Sequence, residues 1–127
     1  MNKKFFKKII PSSILNRYRN KNLKKKFSII KKLSIHRKFD YIYKNEIWGK
    51  KYGNKFYSGH GSHNQKTILP YINIIKQFLS TIKEPMVVDL GCGDFNIGSQ
   101  IFPLTKKYYG IDIVEDLINF NKTKFNH

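Results

Sequence analysis

The sequence has no alanine and only one cysteine, Cys92. A single thiol excludes an intrachain disulfide, and a reducing compartment suits it. Acidic residues are few: 8 Asp and Glu stand against 25 Lys and Arg, for a formal net charge of +17. None of the acids precedes Asp40. No apolar run approaches the roughly 18 residues that a spanning helix needs, so a helical membrane span is excluded. The opening MNKKFFKKIIPSSIL is basic but has neither the apolar core nor the small-residue cleavage site of a secretory signal. These absences predict a cytoplasmic protein.

What is present suffices for one small domain: 127 residues, 40% hydrophobic and 15% aromatic. Lys, Asn, Ile, Phe and Tyr dominate, the bias of an AT-rich coding sequence, so part of the charge reflects codon usage. A basic block can attract nucleic acid or an anionic membrane surface. Without a motif that reads bases, a nucleic-acid partner is not expected.

Three regions follow from the patterning. Residues 1–38 form a basic arm in which Phe5, Phe6, Ile9, Ile10, Ile14 and Leu15 recur at helical spacing, interrupted by Pro11. Leu23, Phe27, Ile30, Leu33 and Ile35 continue the pattern. An amphipathic basic helix of this kind can lie on the inner face of a membrane or pack its apolar side on a domain. Residues 39–84 begin with a Gly-, Asn- and aromatic-rich stretch that predicts irregular chain. A helix follows. Ser62 with Gln65 has the form of a capping box, and Ile68, Ile72, Ile75, Phe78, Leu79 and Ile82 share one helical face. Pro70 shifts the expected start toward Leu69 or marks a kink.

Residues 85–127 alternate strand and helix signals, an α/β pattern. Met86–Leu90 reads as a buried parallel strand between Pro85 and Gly91. The stretch GCGDFNIG predicts a turn and a helix running to about Phe102, where Pro103 helps end it. A second strand is expected over 107–113 and a second helix over 115–124, acidic at its front and basic at its back.

The chemistry concentrates at Asp89, Gly91, Cys92, Gly93 and Asp94, followed by Asp112. A strand must turn sharply into the next element while a ligand approaches its backbone, and glycine permits both. An acid about twenty residues on, at the tip of the next strand, can accept both hydroxyls of a ribose. Asp112 stands at that distance from Gly93. A nicotinamide site uses similar parts, but its third glycine is replaced by Asn96, and Asp89 would oppose a pyrophosphate while suiting a cation.

The stretch VVDLGCGDFNIG resembles the first motif of class I S-adenosylmethionine-dependent methyltransferases, and YYGIDI resembles their second. The resemblance implies the start of a Rossmann-like methyltransferase fold with S-adenosylmethionine as cofactor. It places Asp89, Gly91 and Gly93 near the amino-acid part of that cofactor and Asp112 at the ribose, with Cys92 and Asp94 lining the turn. Upstream, IYKNEIWG…SGHGS is similar to the region before this motif in bacterial methyltransferases of surface-polysaccharide and sugar modification. That implies a glycan or small-metabolite acceptor. It also implies that the loop from Gly59 to Ser62 closes over the cofactor, with Ser62 at a helix start holding its carboxylate.

The family's acceptor pocket and any general base come from later strands, so no catalytic residue can be named. The expectation is an incomplete domain that lacks the catalytic half of the family's fold. The alternative is an inactive fragment with a membrane- or nucleic-acid-associating arm. His60 and His63 form H-x-x-H without a third ligand, so no metal is expected. Trp48 is read as a packing anchor. Nothing in the sequence specifies an oligomeric state.

Overall fold

The structure, a computed structural model, describes residues 12–50 and 55–125. The expected features at Phe5, Phe6, Ile9, Ile10 and Pro11 lie outside the described residues. The chain divides into two units, residues 1–38 and residues 39–127.

Among the described residues of the first unit, helix α1 (Ser12–Lys31) is the longest element. It contains neither glycine nor proline, and its Lys, Arg and Leu residues are good helix formers. Arg17, Arg19, Lys21, Lys24, Lys25, Lys26 and Lys31 lie on it with no acid between them. No residue of α1 is buried; Ile14, Tyr18, Leu23, Phe27 and Ile29 are all exposed.

Helix α2 (Ile35–Lys44) carries the chain into the second unit. Its Phe39 and Tyr43 join Phe56, Val114, Leu117 and Phe120 in an aromatic-rich core. Burying a side chain of the size of Leu117, which is fully enclosed, contributes about 1.5–3 kcal/mol. Helix α3 (Gln65–Ser80) begins one turn earlier than Pro70 suggests, because Asn64 caps it by accepting the Lys66 N–H at 3.1 Å. The cap is therefore Asn64, not Ser62. Pro70 is accommodated inside the helix. Ile68, Ile72 and Leu79 are buried as the periodicity requires, whereas Phe78 and Ile82 at the far end are exposed.

Strands β1 (Met86–Leu90) and β2 (Lys107–Ile111) pair in parallel, with Val87 opposite Tyr108 and Asp89 opposite Gly110. The architecture is thus α/β at the level of a small parallel sheet with helices. The sheet is not buried on both sides: Met86, Val88, Leu90, Tyr109 and Ile111 share one face and are exposed. Between the strands the expected helix is replaced by two short 3-10 turns, Gly98–Gln100 and Phe102–Leu104. Phe95 adopts φ +61, which interrupts a right-handed helical path at its start. Pro103 lacks the N–H needed to extend the last turn. Beyond β2, helix α4 (Glu115–Phe125) has Glu115 and Asp116 in its first turn and Lys122 and Lys124 in its last, matching its dipole. Among the described residues, no helix is long and apolar enough to cross a membrane.

Candidate functional site

The turn after β1 is built at the carboxyl ends of both strands. The carbonyl of Ile111 accepts the N–H groups of Gly91 (2.7 Å) and Cys92 (3.0 Å). Gly91 and Gly93 take φ values of +82 and +55, in the region where a Cβ is costly. At Gly93 a Cβ would also stand 2.4 Å from the hydroxyl oxygen of Ser58. Glycine is required there on both counts.

Asp112 lies one residue past β2. Its carboxylate accepts the Gly93 N–H at 3.1 Å and the Val114 N–H at 3.0 Å. One side chain thus joins the two strand ends and leads into α4. A carboxylate has about four lone-pair sites, so these two bonds leave acceptor capacity for a ligand. From α4, Asn121 Nδ2 donates to the Gly93 carbonyl at 2.7 Å.

Asp94 is only 5% exposed. Its Oδ2 accepts the Ser58 N–H at 3.1 Å, while its own N–H donates to Ser58 Oγ at 2.7 Å. The two residues therefore hold each other. His63 Nε2 pairs with the same Asp94 oxygen at 2.6 Å, with its side chain 7% exposed and its ring stacked on Tyr57 at 4.6 Å. Tyr43 completes the network with a 2.9 Å hydrogen bond to Ser58 Oγ. Burial, with the Asp112 and Asp94 carboxylates nearby, pushes the Tyr43 hydroxyl up to about 12.

Two clefts flank the glycine turn, and Ser58, Ser62, Gly91 and Gly93 line both. One, of about 520 Å³, contains Asp89, Asp94 and Asn96 and is backed by α3. The other, of about 420 Å³, contains Asp112, Leu90 and Ile113 and is walled by Phe39, Tyr43 and Trp48. Among the described residues, no Lys or Arg lines either cleft. A larger hollow of about 820 Å³ lies between β2 and α4, lined by Phe95, Phe102, Tyr109 and Ile118 among others. Among the described residues it contains Cys92 but no carboxylate, and Lys106 and Lys122 line it.

All the residues singled out in the sequence thus meet at one turn, in differing roles. Asp89 accepts the Tyr108 hydroxyl at 2.5 Å, and burial together with this bond moves that hydroxyl upward. Cys92 is half-buried; burial, with Asp112 and Asp89 beside it, pushes its thiol up to about 12. Ser62 lines both clefts but caps no helix: its hydroxyl donates to the Ser58 carbonyl at 3.3 Å, and its carbonyl accepts Asn96 Nδ2 at 2.7 Å.

Ser58, Tyr43 and Asn121 were not anticipated, and His63, read only as half of an H-x-x-H pair, was not expected to hold Asp94. The Ser-Gly-His-Gly-Ser pattern marked the loop, but nothing in its spacing told which serine would bind the turn. Among the described residues, no group of three or more His, Cys, Asp or Glu side chains converges to hold a metal. Comparison of the chain with protein-family models, with curated proteins and with solved structures finds no match.

Proposed function

We propose that residues 39–127 bind S-adenosylmethionine as the cofactor-binding part of a class I methyltransferase of Rossmann-like fold. The observation that carries this reading is electrostatic. In a chain of net charge +17, the two clefts around a glycine turn hold Asp89, Asp94 and Asp112 and, among the described residues, no Lys or Arg. Such a lining favours a ligand with positive charge and a diol, and it opposes the pyrophosphate of a nicotinamide dinucleotide. Together the clefts are of the size that small-molecule cofactors use.

In this reading Asp112 accepts the ribose hydroxyls, and Asp89 faces the amino-acid end across Gly91 and Gly93. The bound cofactor supplies an electrophilic methyl group on a sulfonium sulfur, for transfer to an acceptor such as a glycan or small metabolite. The chain's residues orient that group and keep the ligand's charge matched.

The test is calorimetric titration of the full chain with S-adenosylmethionine. Binding is expected, and Asp112→Ala should weaken it at least tenfold, the scale of one lost charge-assisted hydrogen bond of about 1.5–3 kcal/mol. Tighter binding of NAD, or no heat with S-adenosylmethionine, would overturn the reading.

A second reading concerns α1. A helix with exposed Ile14, Tyr18 and Phe27, clustered cations and no buried residue fits peripheral contact with an anionic lipid surface.

A further inference from the structure

The cleft beside Asp112 has an unusual wall. The chain's sole tryptophan, Trp48, stands there 39% exposed among aromatic neighbours. Phe39 meets it edge-on at 5.9 Å, and Tyr43 does so at 5.4 Å. These rings fix the indole from the protein side. From the loop side, Gly59 brings its backbone close: a Cβ built there would stand 3.6 Å from Trp48 Cβ. Tyr43 in turn is tied to Ser58, and Ser58 to Asp94. The aromatic wall and the glycine turn are therefore parts of one hydrogen-bonded and packed unit.

The contents of the two clefts differ in kind. The cleft with Asp89 and Asp94 is backed by the aliphatic side chains of Ile75 and Leu79 on α3 and of Ile82 just past its end. The cleft with Asp112 combines one carboxylate, the aliphatic Leu90, Ile111 and Ile113, and the aromatic wall. A carboxylate that takes a diol next to a planar aromatic surface suits a nucleoside: the acid holds the sugar and the rings hold the base.

We infer that Trp48 is a nucleobase-contacting residue, so that the nucleoside half of the ligand lies between Trp48 and Asp112 and the amino-acid half lies across the turn. The inference rests on the cofactor reading above and adds to it a division of the ligand between clefts. It also gives a role to the segment before the motif, which contributes half of the nucleoside site. Trp48 is then more than a packing anchor.

The position of the only tryptophan makes the test direct. The full chain is titrated with S-adenosylmethionine, with 5′-methylthioadenosine, which keeps the nucleoside and lacks the amino acid, and with methionine. Indole fluorescence and heat are read in parallel. S-adenosylmethionine and 5′-methylthioadenosine should each quench or shift the Trp48 emission, and methionine should leave it unchanged. Trp48→Leu should weaken both nucleoside ligands by the same factor, on the order of tenfold, and Trp48→Phe should recover most of the loss. Circular dichroism of both variants checks that the fold is kept, and the wild-type fluorescence needs no variant.

Heat of binding for S-adenosylmethionine with no change in Trp48 emission, and equal affinity in Trp48→Leu, would overturn the inference while the cofactor reading stands. Heat and emission changes absent for all three ligands would overturn both.

Discussion

Cys92 is the chain's only thiol, and it sits in the turn between two carboxylates. Burial first, then Asp112 and Asp89, pushes its ionisation up to about 12. At pH near 8 the folded protein should hold on the order of a thousandfold less thiolate than an ordinary cysteine. A thiol reagent should therefore modify native Cys92 far more slowly than the same residue in guanidinium. Equal rates in the two states would contradict this account. The site was legible where backbone geometry demands a particular residue. Gly91, Gly93 and Asp112 could be placed from strand, turn and spacing, because positive φ and a strand tip leave few choices. Ser58 and His63 were hidden because their partner, Asp94, is more than thirty residues away in sequence. A long-range hydrogen bond leaves no periodic trace.

At the scale of elements, the readable parts were those governed by local rules. The strand over 86–90, the strand expected over 107–113, which ends at Ile111, and the helix expected over 115–124, which runs to Phe125, follow from short apolar runs and terminal charge. The start of α3 was misread because Ser62 and Asn64 are both good caps, and only the chain's path between His60 and Asn64 decides between them. The missing helix after the motif was misread for a different reason. Apolar spacing favours helix over 95–102, but the left-handed Phe95 and the proline at 103 divide the segment into separate turns.

Helix α1 was expected from periodicity, and its consequence is testable. If its cations and exposed aromatic residues engage lipid, the chain should co-sediment with vesicles containing phosphatidylserine and not with neutral ones. Raising salt should release it, since each Lys or Arg near the surface adds about 1 kcal/mol. Replacing Lys24, Lys25 and Lys26 with Gln should weaken the association at least tenfold. Salt-sensitive binding to RNA without vesicle binding would favour a nucleic-acid surface instead.

At the scale of the molecule, three buried or half-buried groups share one tendency. Tyr43 and Cys92 are each pushed up to about 12, and Tyr108 is moved upward as well, with burial the leading cause in each case. All three are neutral when protonated, so the folded state holds these protons more tightly than the unfolded chain. Their stability contribution is complete below the unfolded thiol's ionisation near 9 and falls as pH rises toward about 12. The melting temperature should therefore be flat from about pH 7 to 8.5 and drop steeply above it. Cys92→Ala should make the drop shallower, whereas an unchanged slope would assign the loss elsewhere. The exposed apolar face of the sheet is the opposite kind of feature. Leu90 is 78% exposed although it reads in sequence as a buried strand residue, because an apolar run records that a strand can be covered and not what covers it.

The paired hydrogen bonds between Ser58 and Asp94 carry one more consequence. The loop from Ser58 to His63 is fastened to the turn before any ligand arrives, so its order is settled during folding. If the proposed cofactor enters either cleft, it meets walls already standing, and little of its interaction energy is consumed in arranging them. The family resemblance implies a flap that shuts over its guest; the Ser58–Asp94 hydrogen bonds favour a socket, and if S-adenosylmethionine binds as proposed, its observed binding rate should rise in simple proportion to ligand concentration, whereas levelling off at a slow step would restore the flap.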